Sequence, residues 1–306
     1  MKTVVVIGSS NTDMVIRTEK APVGGETVLG GGFLVVPGGK GANQAVAAAR
    51  AGARVIFISK LGSDIFGDRA LANFKKAGLD THFVSRDKKE PSGVAIITVD
   101  KNAQNSIVVA LGANSKLFPG DIKKAKEEIK AAACVVLQQE MPEKTVAYSI
   151  ELALKLNVPV IFNPAPARKL PGALLKNIYL LNPNETEAEI LTGIKITDTA
   201  SVRRAAAKLK ASGVKNVIIT MGKKGVFAAG KGFEMRFPAF KVKALDTTAA
   251  GDAFTGGFAC ALAEEKDFCE CVKFGSAVAA LAVTKMGAQS SLPARTEINQ
   301  FLSRQK

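Results

Sequence analysis

The sequence predicts an α/β fold in which helices cover both faces of a mostly parallel sheet, with a small β lid beside it. From about residue 120 onward, short apolar runs alternate with helix-like segments, which is typical of parallel strands joined by helices. The run Val-Val-Val-Ile-Gly at 4–8 suits a strand buried on both faces. Two extended stretches, at about 12–36 and 91–111, are predicted to form the lid. The chain, 1–306, is predicted to be one large domain that carries this lid.

The elements of the main domain are predicted from apolar runs, helical periodicity and terminating glycines. The small-residue segment 45–52 and the segment 66–77 are predicted helices, because Gly52 and Gly78 stand where helices commonly end. Further helices are predicted at 121–132, 143–156, 199–212 and 253–262, and another begins within 183–189. Strands are predicted at 4–8, 55–61, 134–137, 159–163, 178–182 and 216–221, with a polar strand-like segment at 240–245.

The lid is predicted from segments that are extended but do not join the alternation of strands and helices. Residues 92–99 and 106–110 are expected to form a hairpin, because turn-like residues at 100–103 separate them. The segments 14–18 and 26–36 are expected to pair with this hairpin. Such a lid would exclude water from a reaction site beneath it.

The chain is strongly basic, with a formal net charge of +15. Its Lys and Arg residues occur as pairs, such as Lys123-Lys124 and Arg203-Arg204, and not as runs. Scattered charge favours a solvated basic surface that attracts anionic substrates over a nucleic-acid partner. The absence of Trp and the presence of only two Tyr leave Phe alone for stacking on bases, which also disfavours single-stranded nucleic acid.

Cysteine and histidine usage argues against a structural metal site. Four Cys and a single His do not provide two ligand clusters of the kind that hold zinc, and Cys134 and Cys260 lie in apolar, core-like surroundings. The apolar run at 4–7 is too short for the core of a signal peptide. The sequence has no apolar run of 18 residues, so we expect a soluble, cytoplasmic protein without a membrane contact.

The stretch Asp-Thr-Thr-Ala-Ala-Gly-Asp at 246–252 precedes the predicted helix 253–262. Small residues before a helix let a ligand approach the backbone, and the free N–H groups with the helix dipole favour an anion such as phosphate. A bound phosphate would repel the carboxylate of Asp252. That carboxylate has a function there if it takes the proton from a hydroxyl that attacks a phosphoryl group. The alternative is that Asp252 is only a helix N-cap or first-turn acid.

Polar side chains also follow two other predicted strands. Asn11 and Asp13 follow the strand 4–8, and Glu140 follows the strand 134–137. Ligands of open α/β sheets bind at these carboxyl ends of strands. The alternatives are that Asn11 and Asp13 shape a turn and that Glu140 is a surface acid. Asn43 stands just before the predicted helix 45–52, at a second position that suits an anion or a hydroxyl, and its alternative role is to cap that helix.

Three segments resemble signatures of the ribokinase-like (PfkB) carbohydrate kinases. The stretch 246–252 resembles the carboxy-terminal signature, and Gly-Gly-Lys-Gly-Ala-Asn-Gln-Ala at 38–45 resembles the amino-terminal one. Asn-Glu-Thr-Glu at 184–187 contains the Asn-x-x-Glu motif of this family. The segments stand in the family's order and spacing, and the resemblance covers essentially the whole chain. It implies a ribokinase-like three-layer sandwich.

The resemblance also implies an activity, namely ATP-dependent phosphorylation of D-ribose to D-ribose 5-phosphate. Asp252 is implied as the base that deprotonates the primary hydroxyl of the sugar. The N–H groups of Ala249, Ala250 and Gly251 are implied to stabilise charge on the transferring phosphoryl group. The implied sugar-binding residues are Asn11, Asp13, Gly39, Lys40, Asn43, Glu140 and Asp252 itself. Carboxylate, amide and ammonium groups suit the hydroxyls of a pentose.

For the phosphates, the resemblance implies Mg²⁺ held with the help of Asn184 and Glu187, partly through water, as Mg²⁺ usually is. Glu187 could alternatively be only a first-turn acid. The implied nucleotide-binding residues are Asn184, Thr220, Gly222, Gly225, Gly251 and Ser276. Ser276 stands where several relatives carry an imidazole or an amide, which leaves the preferred nucleotide donor open.

The resemblance further implies activation by a monovalent cation, K⁺. Its implied ligands lie in two segments and are Asp246, Thr248, Val283, Lys285, Gly287 and Ser291. Val283, Lys285 and Gly287 are expected to contribute backbone carbonyls. Family lids often pair in a homodimer, which would bury otherwise exposed strand edges.

Other functions remain open at this point. A kinase of the same family could act on 2-deoxyribose, a nucleoside or a ketose derivative, although Phe33 is the only aromatic residue near the first lid segment. A non-catalytic sugar-binding regulator is the alternative from a different class. The presence of Asp252 beside Gly251 argues against that alternative.

Overall fold

The computed structural model describes residues 2–102, 104–168 and 171–305 and has the predicted α/β architecture. In chain order, its strands are β1 (Val4–Ile7), β2 (Asn11–Thr18), β3 (Gly30–Gly38), β4 (Val55–Gly62), β5 (Val84–Asp87), β6 (Gly93–Val99), β7 (Asn105–Ala110), β8 (Cys134–Leu137), β9 (Val160–Phe162), β10 (Leu180–Leu181), β11 (Asn216–Thr220), β12 (Val226–Gly230) and β13 (Phe233–Phe237). Its α-helices are α1 (Lys40–Arg50), α2 (Ile65–Lys76), α3 (Pro119–Lys124), α4 (Lys126–Lys130), α5 (Glu143–Lys155), α6 (Gly172–Leu175), α7 (Glu185–Thr192), α8 (Thr199–Ala211), α9 (Ala250–Ala263), α10 (Phe268–Ala282) and α11 (Arg295–Ser303).

The central sheet has nine strands in the order β13-β12-β11-β10-β9-β8-β1-β4-β5. The strands from β11 to β5 are parallel to one another, whereas β12 and β13 pair antiparallel at one edge. Along β1, Val4 and Val6 face one core layer while Val5 and Ile7 face the other, as the period of a strand requires. The predicted strand buried on both faces is therefore confirmed.

Helices cover both faces of this sheet. One core layer contains side chains of α1, α2, α9, α10 and α11, and the other contains side chains of α3 to α8. The N-termini of α1 and α9 lie together at the carboxyl ends of the parallel strands, which is where ligands bind in open α/β sheets. Helix α1 begins within the segment 38–45 and α9 begins within the segment 246–252, so the predicted ligand-binding residues of both segments lie in or next to the first turns of the helices.

A second sheet of four strands, in the order β3-β2-β6-β7, lies beside the central one. It is built from the four segments predicted for the lid, with β6 and β7 paired antiparallel as a hairpin. Ala103, in the predicted turn 100–103, lies outside the described residues. Strand β2 begins directly at Asn11, so the lid and the first polar loop of the main sheet are one continuous piece of backbone.

Several predicted elements differ from the structure. The strand predicted over 240–245 is wrong, because Phe240 packs its ring against Phe301 of α11 and the segment leaves the sheet. The helix predicted over 121–132 is divided at Ala125, whose backbone departs from helical angles. The strand predicted over 178–182 is only Leu180–Leu181, since Ile178 bonds to Leu175 and to Lys215 outside the ladder. In the described part of the chain, no helix combines the length and apolar character that crossing a membrane requires.

Helices α1 and α9 pack closely because small residues line their contact. A Cβ added at Gly256 would lie 2.6 Å from the Cβ of Ala47 and 2.6 Å from the carbonyl oxygen of Gln44. These distances are shorter than carbon contacts allow, so only glycine fits at this position without moving a helix. The close approach sets the separation of the two helix N-termini.

We expect Gly256→Ala to lower the free energy of unfolding by about 1 to 3 kcal/mol, because overpacking a dense core strains it. The matched variant Gly120→Ala, in α3, adds a Cβ that meets nothing within 4 Å. It should be neutral or stabilising by roughly 0.5–1 kcal/mol, because alanine favours a helix over glycine. Urea unfolding measures both changes, and equal effects of the two would contradict the proposed crowding.

Candidate active site

Asp252 lies in the first turn of α9, and its carboxylate is buried with 6% of the residue exposed. Asn43 Nδ2 donates to Oδ2 at 3.0 Å, and Gln44 Nε2 donates to Oδ1 at 2.8 Å. Burial raises the pKa of Asp252, while Lys40, Asn43 and Gln44 counteract that increase. A buried carboxylate with a raised pKa is a stronger proton acceptor than one in water, as a general base requires.

The two amides that hold Asp252 belong to a wider buried network. Gln44 Nε2 also lies 3.1 Å from Asn163 Oδ1, and Gln138 Nε2 donates to Gln44 Oε1 at 2.6 Å. Gln138 follows β8 and Asn163 follows β9, so the network joins Asp252 to the ends of neighbouring strands. The second turn of α9 has a similar link, because Asn182 Nδ2 donates to Thr255 Oγ1 at 2.7 Å.

The turn before α9 exposes backbone N–H groups beside Asp252. Ala249 occupies the N-cap position in the left-handed region, with φ 59°. The N–H groups of Ala249 and Gly251 donate to no acceptor among the described residues, whereas that of Ala250 lies 3.2 Å from the carbonyl oxygen of Thr247. A Cβ at Gly251 would meet nothing within 4 Å, so a ligand has room above this turn. The arrangement suits an anion next to the carboxylate.

Lys40, the first residue of α1, is surrounded by acidic groups. Burial would lower its pKa, but the charges of Asp252, Glu140, Glu187 and Asp13 outweigh burial and raise it. Burial raises the pKa of Asp13 to about 6, with Glu140 and Asp252 adding to the increase. Burial likewise raises the pKa of Glu187. The structure therefore brings predicted residues from five separate segments into one electrostatic unit.

The predicted sugar loop is shaped by close backbone contacts. Gly39 has φ 88°, and a Cβ there would lie 2.6 Å from the backbone nitrogen of Asn11. Glu140 Oε2 accepts from Ser9 Oγ at 2.6 Å and from the N–H of Lys40 at 3.0 Å. Asn114 Nδ2 donates to Asn11 Oδ1 at 2.8 Å, which leaves the Asn11 amide nitrogen for a ligand.

Four of the predicted nucleotide-binding residues, Asn184, Thr220, Gly222 and Gly225, lie close to the ends of β10 and β11, whereas Gly251 lies in α9. Asn184 and Thr220 form a parallel bridge, which places the N-terminus of α7 beside the end of β11. Asn184 and Glu187 cap α7 reciprocally, each side chain accepting from the other's backbone N–H at 2.8 Å. Gly222 and Gly225 both have positive φ, and a Cβ at Gly225 would lie 2.0 Å from the carbonyl oxygen of Phe237. Ser276 is half-buried on α10.

The two segments predicted to hold a monovalent cation also lie side by side. Asp246 Oδ1 accepts from the N–H of Thr248 at 2.9 Å, and Asp246 Oδ2 accepts from the N–H of Gly287 at 2.8 Å. The carbonyl oxygen of Val283 accepts from Leu245 at 2.7 Å. Ser291 is buried, and its Oγ donates to the carbonyl oxygen of Ala288 at 2.8 Å. Within the described chain, no residue donates to the carbonyl oxygens of Lys285 or Gly287, which suits them as cation ligands.

The sequence interpretation missed the amides that support these groups: Gln44, Asn114, Gln138, Asn163 and Asn182. Gln138, Asn163 and Asn182 each follow a buried strand. The expectation that polar residues at the carboxyl ends of strands bind ligands, which indicates Asn11 and Glu140, therefore applies to these three residues as well. Gln44 lies within the segment 38–45 that resembles the amino-terminal signature, but the resemblance implies no role for it. Asn114 lies in a short 3₁₀ turn, where nothing in the sequence indicates a contact with Asn11.

A buried carboxylate beside N–H groups at a helix N-terminus suits a phosphotransferase, because it places a proton acceptor next to a position that favours an anion. The family model for pfkB family carbohydrate kinases matches residues 1–295, and the chain belongs to this family. It is 46% identical to the ribokinase of Haemophilus influenzae over 98% of each chain, and 41% identical to the deoxyribokinase of Salmonella typhimurium over the same share. The structure of Arabidopsis thaliana ribokinase complexed with ribose and ATP matches it with a TM-score of 0.92, at 33% identity and over 98% of each chain. The predicted family and fold class are confirmed.

The raised pKa of Asp13 predicts a pH-dependent effect of Asp13→Asn on stability. Its pKa rises from 3.8 to about 6 on folding, so this group's contribution to stability is complete below pH 3.8 and is lost as pH rises through 6. The neutral amide does not titrate. Between about pH 4 and pH 8, the variant should therefore gain roughly 2 kcal/mol of unfolding free energy relative to the wild type.

Urea unfolding at several pH values measures this gain. Glu151→Gln, a matched change at an exposed position of α5, serves as the control and should show no such trend. A constant difference between Asp13→Asn and the wild type across the pH range would contradict the raised pKa.

Proposed function

We propose that this protein transfers the γ-phosphoryl group of ATP to the 5-hydroxyl of D-ribose, forming D-ribose 5-phosphate and ADP. The observation that carries the proposal is the placement of Asp252. Its buried carboxylate stands between exposed N–H groups that suit a phosphoryl group and a polar loop that suits sugar hydroxyls. The similarity to ribokinases, one of them complexed with ribose and ATP, supports the choice of both substrates.

In the proposed reaction, Asp252 accepts the proton of the ribose 5-hydroxyl as its oxygen forms a bond to the γ-phosphorus. The bond from that phosphorus to the bridging oxygen breaks, and its electrons leave with ADP. The N–H groups of Ala249, Ala250 and Gly251 stabilise the charge on the equatorial oxygens. Asn43 and Gln44 keep the carboxylate pointing at the hydroxyl, so the proton transfer needs little reorganisation.

Recognition of the sugar rests on groups that bond to hydroxyls. The proposed set is Asn11, Asp13, Gly39, Lys40, Asn43 and Glu140. The glycine lets the backbone approach the sugar, while the ammonium and carboxylates donate and accept in turn. A site built to bond a hydroxyl discriminates strongly against an analogue that lacks it, because its own buried polar groups are then left unpaired.

The residues present fit a Mg²⁺ ion that is held mainly by nucleotide phosphates. Glu187 Oε2 caps α7, which leaves Oε1 for a water ligand of the ion, and Asn184 keeps its amide nitrogen for a phosphate oxygen. When bound, Mg²⁺ would neutralise charge on the phosphates. The proposed nucleotide contacts are Asn184, Thr220, Gly222, Gly225, Gly251 and Ser276.

A monovalent cation such as K⁺ is proposed between the segments 246–248 and 283–291. Its ligands would be Asp246, Thr248, Val283, Lys285, Gly287 and Ser291. The free carbonyl oxygens of Lys285 and Gly287 fit a cation, and Val283 would have to share its carbonyl with the N–H groups of Leu245 and Asp246. The Asp246 segment runs directly into the turn of Ala249, so a cation there would stabilise the shape of the anion site.

We also propose that the chain is one domain, 1–306, whose lid at about 12–36 and 91–111 pairs in a homodimer. Val35, Met14, Ile96 and Val108 stand opposite one another in a row across the four lid strands. This row lies on the face turned away from Asp13, and Val108 is 71% exposed. An exposed apolar row of this kind is typical of an interface. Because its nucleotide substrate is cytoplasmic, we place the enzyme in the cytoplasm.

We expect Asp252→Asn to lower kcat by about 10²- to 10⁴-fold, because an amide cannot accept the proton. The KM for ribose should change little, since the amide keeps the shape of the side chain. Asp68→Asn, at an exposed position, is the control. Retention of full turnover by Asp252→Asn would show that another group is the base.

The substrates are tested by a coupled phosphotransfer assay with MgATP and ribose, 2-deoxyribose, fructose or adenosine, each with and without potassium. We expect ribose turnover well above the others, and potassium should raise it. Preferred turnover of 2-deoxyribose or adenosine would leave Asp252 in its role but overturn the roles of Asn11, Asp13 and Glu140. No turnover of any of the four would favour a sugar-binding regulator.

Val108→Glu should convert the proposed dimer to monomers, because the charge would be buried unpaired in the interface. Val23→Glu makes the same change at a loop position of similar exposure, 70% against 71%. It should leave the oligomeric state of the protein unchanged. Analytical ultracentrifugation measures both. A wild-type protein that sediments as a monomer at all concentrations would remove the homodimer from the proposal.

A further inference from the structure

Gln289 is a buried amide outside the reaction site, and hydrogen bonds engage both ends of its side chain. It lies in the 3₁₀ turn Gln289–Ser291, with 2% of the residue exposed. Its Oε1 accepts from Asn73 Nδ2 at 2.6 Å, and its Nε2 lies 3.2 Å from Asn43 Oδ1. Arg50 Nη1 donates to the carbonyl oxygen of Gln289 at 2.9 Å, which holds the turn against α1.

These bonds form a chain that leads to Asp252 and has a defined direction. Asn73 donates to Gln289, Gln289 donates to Asn43, and Asn43 Nδ2 donates to Asp252 Oδ2 at 3.0 Å. An ionised carboxylate only accepts, so Asn43 must turn its nitrogen towards it. The opposite orientation would place the carbonyl oxygen of Asn43 against the carboxylate. Gln289 opposes that orientation by bonding to this oxygen.

We propose that Gln289 is a positioning residue that keeps Asn43 in the orientation that donates to Asp252. The role rests on the phosphoryl transfer proposed above, in which Asp252 is the base. Gln289 itself does not touch Asp252 and acts through Asn43. It also joins the segment 283–291 to α1, so the shape of that segment affects the hydrogen bonds of the base.

The effect of losing the Gln289 donor can be separated from the effects of the other polar and charged groups around Asp252. Lys40 and Gln44 face it from α1, Glu140 faces it from the loop after β8, and Asp13 and Glu187 lie in the same charged unit. None of these side chains bonds to Gln289. Gln289 Nε2 also lies 3.5 Å from the carbonyl oxygen of Gly38. Among the described partners of Gln289, Asn43 alone bonds to Asp252, so the direct route from Gln289 to the carboxylate runs through Asn43.

The test compares Gln289→Met, which preserves the length of the side chain but cannot donate, with Gln300→Met at an exposed position of α11. For Gln289→Met we expect kcat with ribose to fall by about 10-fold or more, the typical effect of misplacing a catalytic group. The KM for ribose should rise as well, because Asn43 is itself a proposed sugar contact, so the double-mutant cycle and the pKa of Asp252 described below test the positioning role separately. Gln300→Met should behave as the wild type. An unchanged kcat for Gln289→Met would overturn the proposal.

A double-mutant cycle separates positioning from a general loss of packing. In the Asn43→Ala background there is no amide to orient, so adding Gln289→Met should cause no further loss of kcat. Equal losses in both backgrounds would overturn the proposal. If Gln289→Met does not fold, Gln289→Glu takes its place in the cycle, because it preserves volume and the acceptor for Asn73 but cannot donate when ionised.

A measurement without substrate tests the positioning role independently of the proposed reaction. The pKa of Asp252 in the free protein is followed through the NMR signal of its labelled carboxyl carbon. It should be higher in Gln289→Met than in the wild type, because the donation from Asn43 favours the ionised form. A wild type inactive on ribose would refute the proposed function alone. An unchanged pKa in Gln289→Met would refute the positioning role alone.

Discussion

The buried carboxylate of Asp252 is the constraint on which the arrangement of this site depends. A carboxylate removed from water is costly unless hydrogen bonds and an opposite charge compensate for it. Here Asn43, Gln44 and Lys40 all come from the first turns of α1, so compensation requires α1 and α9 to begin side by side. Gly256 permits that approach, because any side chain there would meet the backbone of Gln44. The position of Asp252 relative to the residues of α1 that compensate its charge therefore depends on the close packing of these two helices.

Hydrogen bonds between side-chain amides also connect the surroundings of Asp252 to the central sheet. Gln44 reaches Gln138 after β8 and Asn163 after β9, and the side chain of Asn163 continues to the carbonyl oxygen of Asn182 at 3.0 Å. Side chains that follow adjacent parallel strands meet because the register of those strands brings their ends to the same level. The position of the base is therefore set by the strand register as well as by its own helix. Such a preorganised polar environment is what phosphoryl transfer requires of a protein.

Much of this arrangement could be predicted from local patterns in the sequence, and the rest depended on contacts between distant segments. The run 4–8 and the alternation after residue 120 predicted the sheet and its covering helices, since period and length are local properties. The pairing of Asn114 with Asn11 spans 103 positions, and neither side chain has a distinctive sequence context. The segment 240–245 has strand-like residues, but it forms no strand, and Phe240 packs against the ring of Phe301. Tertiary packing overrode local propensity there.

The arrangement of charged groups around Lys40 can be explained by the charges of the two proposed substrates. A sugar is neutral and cannot offset the repulsion between Asp13, Glu140 and Asp252. Other groups of the protein must therefore offset it. Lys40 offsets part of this repulsion, and burial raises the pKa of Asp13 to about 6, which reduces the negative charge further at lower pH. In the proposed reaction, the phosphates approach from the side of Ala249 and Gly251, where N–H groups and the helix dipole provide positive potential. The carboxylate of Asp252 would then lie between an acidic region that binds the sugar and an electropositive region that binds the phosphates. At that position it would deprotonate the incoming hydroxyl while the phosphates are held away from the acidic groups.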